Sequence, residues 1–306
     1  MTIPSGARYA IGGVHFAVVN DGTHWYDAGA IFGVVPRIMW ERQQRELDDR
    51  YRMPTGLNCL LLRSRGKTVL IETGVGGKPG DREAAGSPAE NGTLMTSLAA
   101  LDVSPEEIDV VVNTHLHSDH CGWNTSVAPG AGPDASESLI PTFPNATYYV
   151  SRAEWEDATH PNERTRATYL AKNLDPVADR LELVDAERET AITDEIVFLP
   201  TPGHTHGHGS VVVRSGREWG VYVGDLVQHR SQLERTAWVS GLDVLPLVSM
   251  ETKKQLVERC IEEQALVMFC HGPYPGVGRM TRTAEGHRKW VDVEPVGEGL
   301  PHPHEA

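Results

Sequence analysis

The stretch DVVVNTHLHSDH, residues 109–120, decides how this sequence of 306 residues is interpreted. Its valine-rich first half predicts a short buried strand. Its second half puts three histidines and an aspartate directly behind that strand, where loops usually build functional sites. Imidazole and carboxylate groups this close together are good ligands for zinc, manganese, iron or cobalt. The stretch therefore predicts a metal centre built on His115, His117, Asp119 and His120.

Three later residues extend this predicted metal centre. Apolar β-like runs are closed by His204, Asp225 and His271. Together with the first stretch, these residues suit two ions rather than one. The predicted division gives one ion to His115, His117 and His204, and the other ion to Asp119, His120 and His271. Asp225 then bridges the two ions through its two carboxylate oxygens.

A pair of ions implies a definite chemistry. Two cations about 3.5–4 Å apart hold a bridging water and lower its pKa toward neutrality. The resulting hydroxide attacks an electron-poor carbonyl or phosphoryl centre, and an ion stabilises the charge on the oxygen under attack. We assign catalytic roles to the carboxylates of Asp119 and Asp225. Because no side-chain nucleophile is required, we expect the thiol of Cys121, directly behind the cluster, not to act as one.

The composition limits the partners of the chain. It has 28 basic and 42 acidic residues, a formal net charge of −14, and such a chain repels phosphate backbones and anionic membrane surfaces. We therefore expect a small-molecule substrate, and neither nucleic acid nor a membrane as a partner. The four cysteines suggest no disulfide framework, and the sequence lacks a signal-peptide pattern and a long apolar run. These features predict a cytoplasmic protein.

The rest of the sequence predicts a layered α/β architecture. β-rich segments punctuated by helices recur in both halves, which favours a single domain over residues 1–306. Strands are predicted at 14–19, 58–64, 68–74, 109–114, 195–201, 210–215, 219–225 and 265–270. Helical composition predicts helices at 40–52 and 250–265. Residues 75–92 and 124–147 predict loops, and residues 290–306 predict a polar tail.

The order of these motifs resembles one known superfamily. HLHSDH (115–120), PGHTHGH (202–208), the pair Gly224-Asp225 and a final strand-end histidine resemble the metallo-β-lactamase-fold hydrolases. The resemblance implies a four-layer αββα sandwich, with the metals at one edge of its two sheets. The segment TVLIETG (68–74) is similar to the first motif of that superfamily, which usually carries Asp where this chain has Glu72. That residue usually supports the metal loop rather than binding metal.

Within the superfamily, the sequence is similar to the acyl-homoserine-lactone lactonases and the methyl parathion hydrolase group. Asp225 stands where the best-known β-lactamases carry Cys, and the N-terminal stretch DGTHWYDAGAIFGVVPRIMW (21–40) also favours this group. The lactonases usually carry a tyrosine three positions after the bridging aspartate, where this chain has Gln228. The resemblance also implies that residues 1–56 form an N-terminal extension with a loop that covers the pocket. The resemblance and the apolar N-terminal stretch together suggest a homodimer.

Four residues are candidates for the substrate pocket. They are Ile31, Phe32, Trp123 and His229. An apolar wall for the substrate is one role for the first three, and ordinary packing is the alternative. His229 is either an acid in the pocket or a plain loop histidine. For the two histidines that follow His204 in PGHTHGH, His206 and His208, the resemblance favours a structural role.

The leading hypothesis is a dinuclear metal hydrolase that opens lactones, as in quorum quenching, or cleaves small esters. A phosphotriesterase acting on organophosphates is the alternative, because both reactions place charge on an oxygen that a metal can stabilise. A β-lactam or thioester substrate ranks behind these. A non-hydrolytic metal-binding or redox module is the alternative from another class. Zinc is the expected ion, and the ligand types also suit manganese, iron and cobalt.

Overall fold

The protein is built mainly from β-strands. The structure, a computed structural model, describes residues 6–44, 46–81, 91–131, 138–298 and 300. The strands are β1 (Ala7–Ile11), β2 (Val14–Asp27), β3 (Arg52–Ser64), β4 (Lys67–Ile71), β5 (Val110–Val112), β6 (Thr125–Val127), β7 (Leu139–Pro141), β8 (Thr147–Ser151), β9 (Leu181–Val184), β10 (Thr190–Ala191), β11 (Ile196–Pro200), β12 (Gly209–Ser215), β13 (Glu218–Tyr222), β14 (Leu266–Met268), β15 (Val277–Arg282), β16 (Arg288–Asp292) and β17 (Gly297–Glu298).

These strands form two large sheets. The first has the order β17-β1-β2-β3-β4-β5-β8-β9, and the second has the order β10-β11-β12-β13-β14-β15-β16. β6 and β7 pair separately. In the first sheet, β4, β5, β8 and β9 run parallel to one another. In the second sheet, β13 and β14 form the parallel pair. The loops that leave the carboxyl ends of β4, β5, β13 and β14 therefore gather at one edge.

Helices are short except for one near the C-terminal end. The α-helices are Ala28–Phe32, Arg37–Trp40, Leu94–Ala99, Arg152–Thr159, Ala171–Leu174, Arg230–Glu234 and Pro246–Glu262. Turns of 3-10 helix are Pro105–Glu107, Gly122–Asn124, Asp175–Arg180 and Gly224–Leu226. Among the described residues, no helix is both long and apolar enough to cross a membrane.

The core lies between the two sheets, and helices cover their outer faces. The central cluster joins Phe16 and Leu60 of the first sheet to Val211 and Met268 of the second. Each such side chain contributes about 1.5–3 kcal/mol when it is fully buried. Helix Pro246–Glu262 covers the outer face of the second sheet with its apolar residues, among them Leu256, Val257 and Cys260. On the outer face of the first sheet, helix Leu94–Ala99 contributes Leu94 and Leu98. The predicted four-layer αββα sandwich is therefore confirmed.

Hydrogen bonds join the two sheets close to the edge where the loops gather. Asn58 on β3 donates its main-chain N–H to the carbonyl of Cys270, at 3.1 Å. Its side-chain amide donates to the carbonyl of Gly272, at 3.0 Å. The hydroxyl of Tyr222, at the end of β13, donates to the carbonyl of Asn58, at 2.6 Å. The relative position of the two sheets is thus fixed where the loops of both must meet.

The strands predicted from the sequence are all present, with changed bounds. The first extends well beyond its predicted end, because β2 continues through a bulge to Asp27. The turn between β3 and β4 is the predicted tight one, with Arg65 and Gly66 both in the left-handed region. Glycine is suited to that conformation because it has no Cβ. The predicted helix at 250–265 is confirmed as Pro246–Glu262.

The helix predicted at 40–52 is wrong. The described residues from Glu41 onward form turns and irregular chain, and β3 begins at Arg52. The segment is rich in charged residues and lacks a continuous apolar stripe, so a helix there would bury little. The Asp48 side chain instead accepts from the main-chain N–H groups of Arg50 and Arg52, at 2.9 and 2.8 Å. This local turn competes successfully with the helix.

The predicted loops and tail lie partly outside the described residues. Of the loop at 75–92, residues 82–90 lie outside, and of the loop at 124–147, residues 132–137 do. β6 and β7 flank that second gap. In the predicted tail, β16 continues to Asp292 and β17 pairs with β1. Residues 299 and 301–306 of the tail lie outside the described residues. Within the predicted N-terminal extension, residues 1–56, β1 and β2 belong to the first sheet.

Candidate metal centre

The HLHSDH segment forms the loop that leaves β5, and Glu72 holds its beginning. Glu72 follows β4, with φ of 66°, and its carboxylate accepts from the N–H of Thr114 at 2.9 Å. The carbonyl of His120 closes the other end of the loop. It accepts from the N–H of Thr73 at 2.8 Å and from the amide of Asn113 at 3.0 Å. The loop is therefore fixed at both ends before any ion binds.

Glu154 connects this loop to the PGHTHGH loop. It lies on helix Arg152–Thr159 and is fully buried. One carboxylate oxygen accepts from the N–H of Leu116 and from the hydroxyl of Tyr169, both at 2.9 Å. The other accepts from the hydroxyl of Thr205, at 2.5 Å. Burial raises the pKa of this carboxyl. Sequence analysis missed Glu154, since nothing in its own segment indicates a contact with two distant loops.

His208 holds the PGHTHGH loop against the Gly224-Asp225 turn. Its Nε2 accepts from the main-chain N–H of Asp225, at 3.0 Å, and its Nδ1 lies 3.0 Å from the carbonyl of Thr201. Gly224 makes this contact possible, because a Cβ there would lie 2.7 Å from His208 Nε2. His206, in contrast, is exposed and pairs with Asp157 at 2.9 Å. The contacts of both histidines are of the structural kind expected from the sequence.

Three buried histidines form what we call the first ligand group. They are His115, His117 and His204, and one ligand atom from each lies within 4.8 Å of the others. Nε2 of His204 lies 3.1 Å from Nδ1 of His117. The ring centroids of His115 and His204 are 4.9 Å apart. These three imidazoles come from two loops on different sheets, and they converge as the sequence predicted.

The second ligand group lies beside the first. It comprises Asp119, His120 and His271, all buried. Oδ2 of Asp119 lies 3.5 Å from Nε2 of His120 and 3.4 Å from Nε2 of His271. Ligand atoms of Cys270, which was not a predicted ligand, lie within 4.8 Å of those of His120 and His271. The structure therefore brings all three predicted residues together and adds a thiol to their surroundings.

Asp225 lies between the two groups. Its Oδ2 is 3.3 Å from Nε2 of His204, in the first ligand group. Its Oδ1 is 3.2 Å from Nε2 of His120 and 3.1 Å from Nε2 of His271, in the second. The amide of Gln228 donates to Oδ2, at 2.8 Å. One carboxylate thus presents a different oxygen to each group, which is the arrangement a bridging ligand requires.

The histidines are held with a nitrogen directed inward. Nδ1 of His204 lies 3.0 Å from the carboxylate of Asp243, and Nδ1 of His271 lies 2.9 Å from the carbonyl of Gly56. Nδ1 of His115 lies 3.0 Å from the hydroxyl of Thr114. Such partners fix the ring orientation and leave Nε2 available as a metal ligand. Asp243 is a second residue that sequence analysis missed.

The buried ligand atoms fit a bound cation. Several have no hydrogen-bond partner among the described residues, namely His115 Nε2, His120 Nε2, His271 Nε2 and Asp225 Oδ1. An unpaired buried polar atom costs about 1–3 kcal/mol. Divalent ions would satisfy these atoms, and a set of imidazole nitrogens with carboxylate oxygens suits zinc and its first-row neighbours.

The charges in the site also favour a cation. Burial lowers the pKa of His117 to about 3, so this imidazole is neutral at pH 7, which is the form that binds metal. Burial alone would also lower the pKa of His271, but the facing carboxylate of Asp225 raises it well above its usual value. The same carboxylate raises the pKa of His120. A metal ion would take the place of the proton that these imidazoles attract.

Three of the four predicted pocket residues lie in or beside one apolar cluster. Ile31 and Phe32 are buried in an apolar cluster with Trp40 and Trp238. The Phe32 ring stacks on Trp40, with centroids 5.1 Å apart, and meets His229 edge-on at the same distance. Burial lowers the pKa of His229 to about 4, so it is neutral at pH 7. A role of this cluster in the substrate pocket remains a prediction.

Trp123 has different surroundings from the other predicted pocket residues. Its indole N–H donates to the buried carboxylate of Asp21, at 2.9 Å. Its ring packs against the apolar cluster on the outer face of the first sheet, and it lies so close to Gly77 that a Cβ there would be 2.4 Å away. These contacts correspond to packing under the loop that follows β4. A contact of Trp123 with substrate remains a prediction.

Tyr26 is a third residue that sequence analysis missed. It lies near the end of β2, and its hydroxyl donates to Oδ2 of Asp119 at 2.5 Å. Its ring stacks on His24, with centroids 3.9 Å apart, and meets His271 edge-on at 5.6 Å. Burial, and then the charge of Asp119, raise the pKa of Tyr26 well above its usual value, so the phenol remains protonated. No local pattern in residues 21–27 indicates this contact.

The thiol of Cys121 has none of the features of a nucleophile. It is buried and directs its Sγ to the carbonyl of Leu116, at 3.3 Å. Burial raises the pKa of this thiol to about 12. The thiolate is the reactive form of cysteine, so a neutral thiol at pH 7 agrees with the expectation that Cys121 is not catalytic.

Comparisons with known proteins agree with this geometry. A family model described as the metallo-beta-lactamase superfamily matches residues 52–133 and 138–272. An N-acyl homoserine lactonase from a Bacillus species is 25% identical over 225 residues, which cover 70% of this chain and 80% of the relative. A probable metal-dependent hydrolase from Staphylococcus aureus superposes with a TM-score of 0.82, at 24% identity, over 94% of this chain and 100% of that one.

A further solved structure is similar over nearly the whole chain. It is AidC, described as a dizinc quorum-quenching lactonase in complex with a product. The TM-score is 0.76 at 19% identity, over 96% of this chain and 99% of that one. The chain belongs to the metallo-beta-lactamase superfamily and is a metal-dependent hydrolase.

Proposed function

We propose that the protein binds two divalent ions, with zinc as the expected metal. We propose that it hydrolyses small esters, with lactones as its main substrates. The observation that carries the two-ion proposal is the position of Asp225, whose oxygens face different ligand groups at 3.1–3.3 Å. The first ion would be held by His115, His117, His204 and Asp225, and the second by Asp119, His120, His271 and Asp225. Bound there, the ions would activate water as a nucleophile and polarise the carbonyl oxygen under attack.

The residues of the chain supply the remaining requirements of ester hydrolysis. In this proposal, the Asp119 carboxylate would hold the proton released during attack and return it to the leaving oxygen. Asp243 and Gly56 hold the rings of His204 and His271, so the ligands need little reorganisation when an ion binds. The neutral side chains of Phe32 and His229 suit an uncharged acyl chain better than a charged one.

The preference for lactones has support from sequence relatives. The curated relatives with 23–25% identity over 225 residues are N-acyl homoserine lactonases. Gln228 stands where the resemblance predicts the lactonases' tyrosine, and its amide is engaged by Asp225. The phenol that polarises the lactone carbonyl in that resemblance is therefore absent from this position. Organophosphate triesters remain the alternative substrates.

A substrate panel tests the proposed function. Metal-loaded protein is assayed on lactones of graded acyl length, aryl esters and phosphotriesters, with and without a chelator. We expect chelator-sensitive turnover that is fastest on a lactone, and its loss in Asp225→Asn. Fastest turnover of a phosphotriester would replace the lactone proposal with the alternative. A metal-loaded protein that is inert on the whole panel would favour a binding or redox module.

A homodimer and a cytoplasmic location remain predictions from the sequence. The N-terminal stretch on which the dimer rests exposes Val34, Ile38 and Met39, with 90%, 70% and 48% of their surface accessible. Burying such side chains between two copies would stabilise a dimer. Light scattering coupled to gel filtration should give twice the mass of the chain, and Ile38→Asp should shift the protein toward the monomer.

A further inference from the structure

A bulge in β2 determines where the side chain of Tyr26 lies. Before the bulge, Phe16 pairs with Leu62, and after it Tyr26 pairs with Met53. The irregularity between Asn20 and Thr23 adds one residue to β2 relative to β3. Because directly paired residues share a face of the sheet, the added residue reverses the face that the even-numbered residues of β2 occupy. Bulges often redirect a side chain beside a functional site in this way.

The redirected side chain reaches one particular oxygen of the second ligand group. The hydroxyl of Tyr26 donates to Oδ2 of Asp119, at 2.5 Å. That same oxygen faces Nε2 of His120 and Nε2 of His271, at 3.5 and 3.4 Å. The Tyr26 ring also lies edge-on to the His271 ring. Two of the three members of the second ligand group therefore contact this tyrosine.

A comparison with Tyr169 shows that the contact is specific. The Tyr169 ring lies 5.0 Å from the ring of His117, in the first ligand group. Its hydroxyl, however, donates to Glu154 and not to a ligand. Asp225, the other carboxylate ligand, receives the amide of Gln228. Each carboxylate of the centre is thus matched with one neutral donor, Tyr26 for Asp119 and Gln228 for Asp225.

We propose that Tyr26 is a positioning residue of the second ligand group, whose hydroxyl fixes the Asp119 carboxylate toward the ion held with His120 and His271. This inference rests on the two-ion site proposed above. A donor bound to a ligating carboxylate limits its rotation, and this pre-orientation favours binding of the ion. The same donor draws electron density from the carboxylate, which leaves the bound ion a stronger electrophile. Tyr26 acts through Asp119 and needs no contact with substrate.

The test compares Tyr26→Phe with Tyr9→Phe in the full chain. Tyr9 is a matched control, because it is equally aromatic and buried, and its hydroxyl has no hydrogen-bond partner among the described residues. Zinc affinities are measured by competition with a chromogenic chelator. We expect Tyr26→Phe to lower the binding affinity of one of the two zinc ions by about 10–100-fold and that of the other by less than about twofold. Tyr9→Phe should retain both affinities.

A second background shows which ion is affected. His117→Ala removes a ligand of the first group, so the zinc ion that remains reports on the second group. Adding Tyr26→Phe should lower the affinity for that remaining ion by about the same 10–100-fold. Circular dichroism spectra of the metal-free proteins should be the same for Tyr26→Phe and Tyr9→Phe, which shows that the fold is kept. On an active substrate, kcat should fall while KM stays constant.

Two outcomes would overturn the inference. One is equal zinc affinity in Tyr26→Phe and Tyr9→Phe, and the other is an equal loss of affinity for both ions in Tyr26→Phe. Because zinc affinity is measured without substrate, inactivity on every ester would count against the proposed function alone. A single zinc ion in the unsubstituted protein would instead count against the two-ion site on which the inference rests.

Discussion

The two ligand groups differ in how their members are held. Two histidines of the first group are oriented by neighbouring side chains, His115 by Thr114 and His204 by Asp243. In the second group, His271 is oriented by the main chain, through the carbonyl of Gly56, and a phenol contacts Asp119. Support from a side chain can be removed by one substitution, whereas support from the main chain cannot. The two groups can therefore be weakened separately, and Asp225 is the residue that joins them.

The largest effect is expected from Asp225→Asn, because this substitution acts on both groups. An amide cannot supply two anionic oxygens, so both ions should bind more weakly and turnover should fall by more than about 100-fold. The fold should persist, since the Asp225 main-chain N–H still donates to His208. Metal analysis, steady-state kinetics and circular dichroism measure these changes. Near-normal kcat with both ions retained would remove Asp225 from the site.

Removing a ligand from one group should affect that group first. His117→Ala deletes an imidazole that lies 3.1 Å from Nε2 of His204. We expect loss of the ion of the first group and loss of activity, while the second group retains its own ion. Metal content after gel filtration tests this, with Tyr9→Phe as the control. Retention of two ions by His117→Ala would show that the two groups are not divided as proposed.

A smaller effect is expected when only the support of the first group is removed. Asp243→Ala removes the carboxylate that lies beside Nδ1 of His204. The affinity for the ion of the first group should fall by about 10–100-fold. Asp157→Ala is the matched control, because Asp157 pairs with the exposed His206 at a similar distance, 2.9 Å. Exposed pairs contribute about 0–1 kcal/mol, so this control should keep its metal affinity. Similar affinities in the two variants would refute the positioning role of Asp243.

The smallest effects are expected from Cys121→Ser and Ser118→Ala. Neither side chain belongs to a ligand group, and burial keeps the Cys121 thiol protonated at pH 7. Both variants should keep substantial activity. Rates at saturating substrate test this. Complete loss of activity in Cys121→Ser, with metal content unchanged, would replace activated water by a thiolate as the nucleophile.

The sequence predicted the parts of the site that lie at the ends of apolar strands, but not the supporting residues that come from distant segments of the chain. The convergence of the candidate ligands could be predicted because they follow apolar strands that end at the same edge of the fold, as β5 and β14 do. Their supports could not, since Glu154, Asp243 and Tyr26 reach the ligands only through the tertiary fold. The error at 40–52 has a related cause, because helical composition without an apolar stripe is overridden by a local turn at Asp48.

The number of ions bound by each chain tests the central claim most directly. Purified protein, reconstituted with zinc and freed of excess ion, is analysed by native mass spectrometry alongside Asp225→Asn. The two ligand groups joined by Asp225 predict two zinc ions on the unsubstituted chain and weakened binding of both on the variant. A reproducible maximum of one ion on the unsubstituted chain would contradict the account.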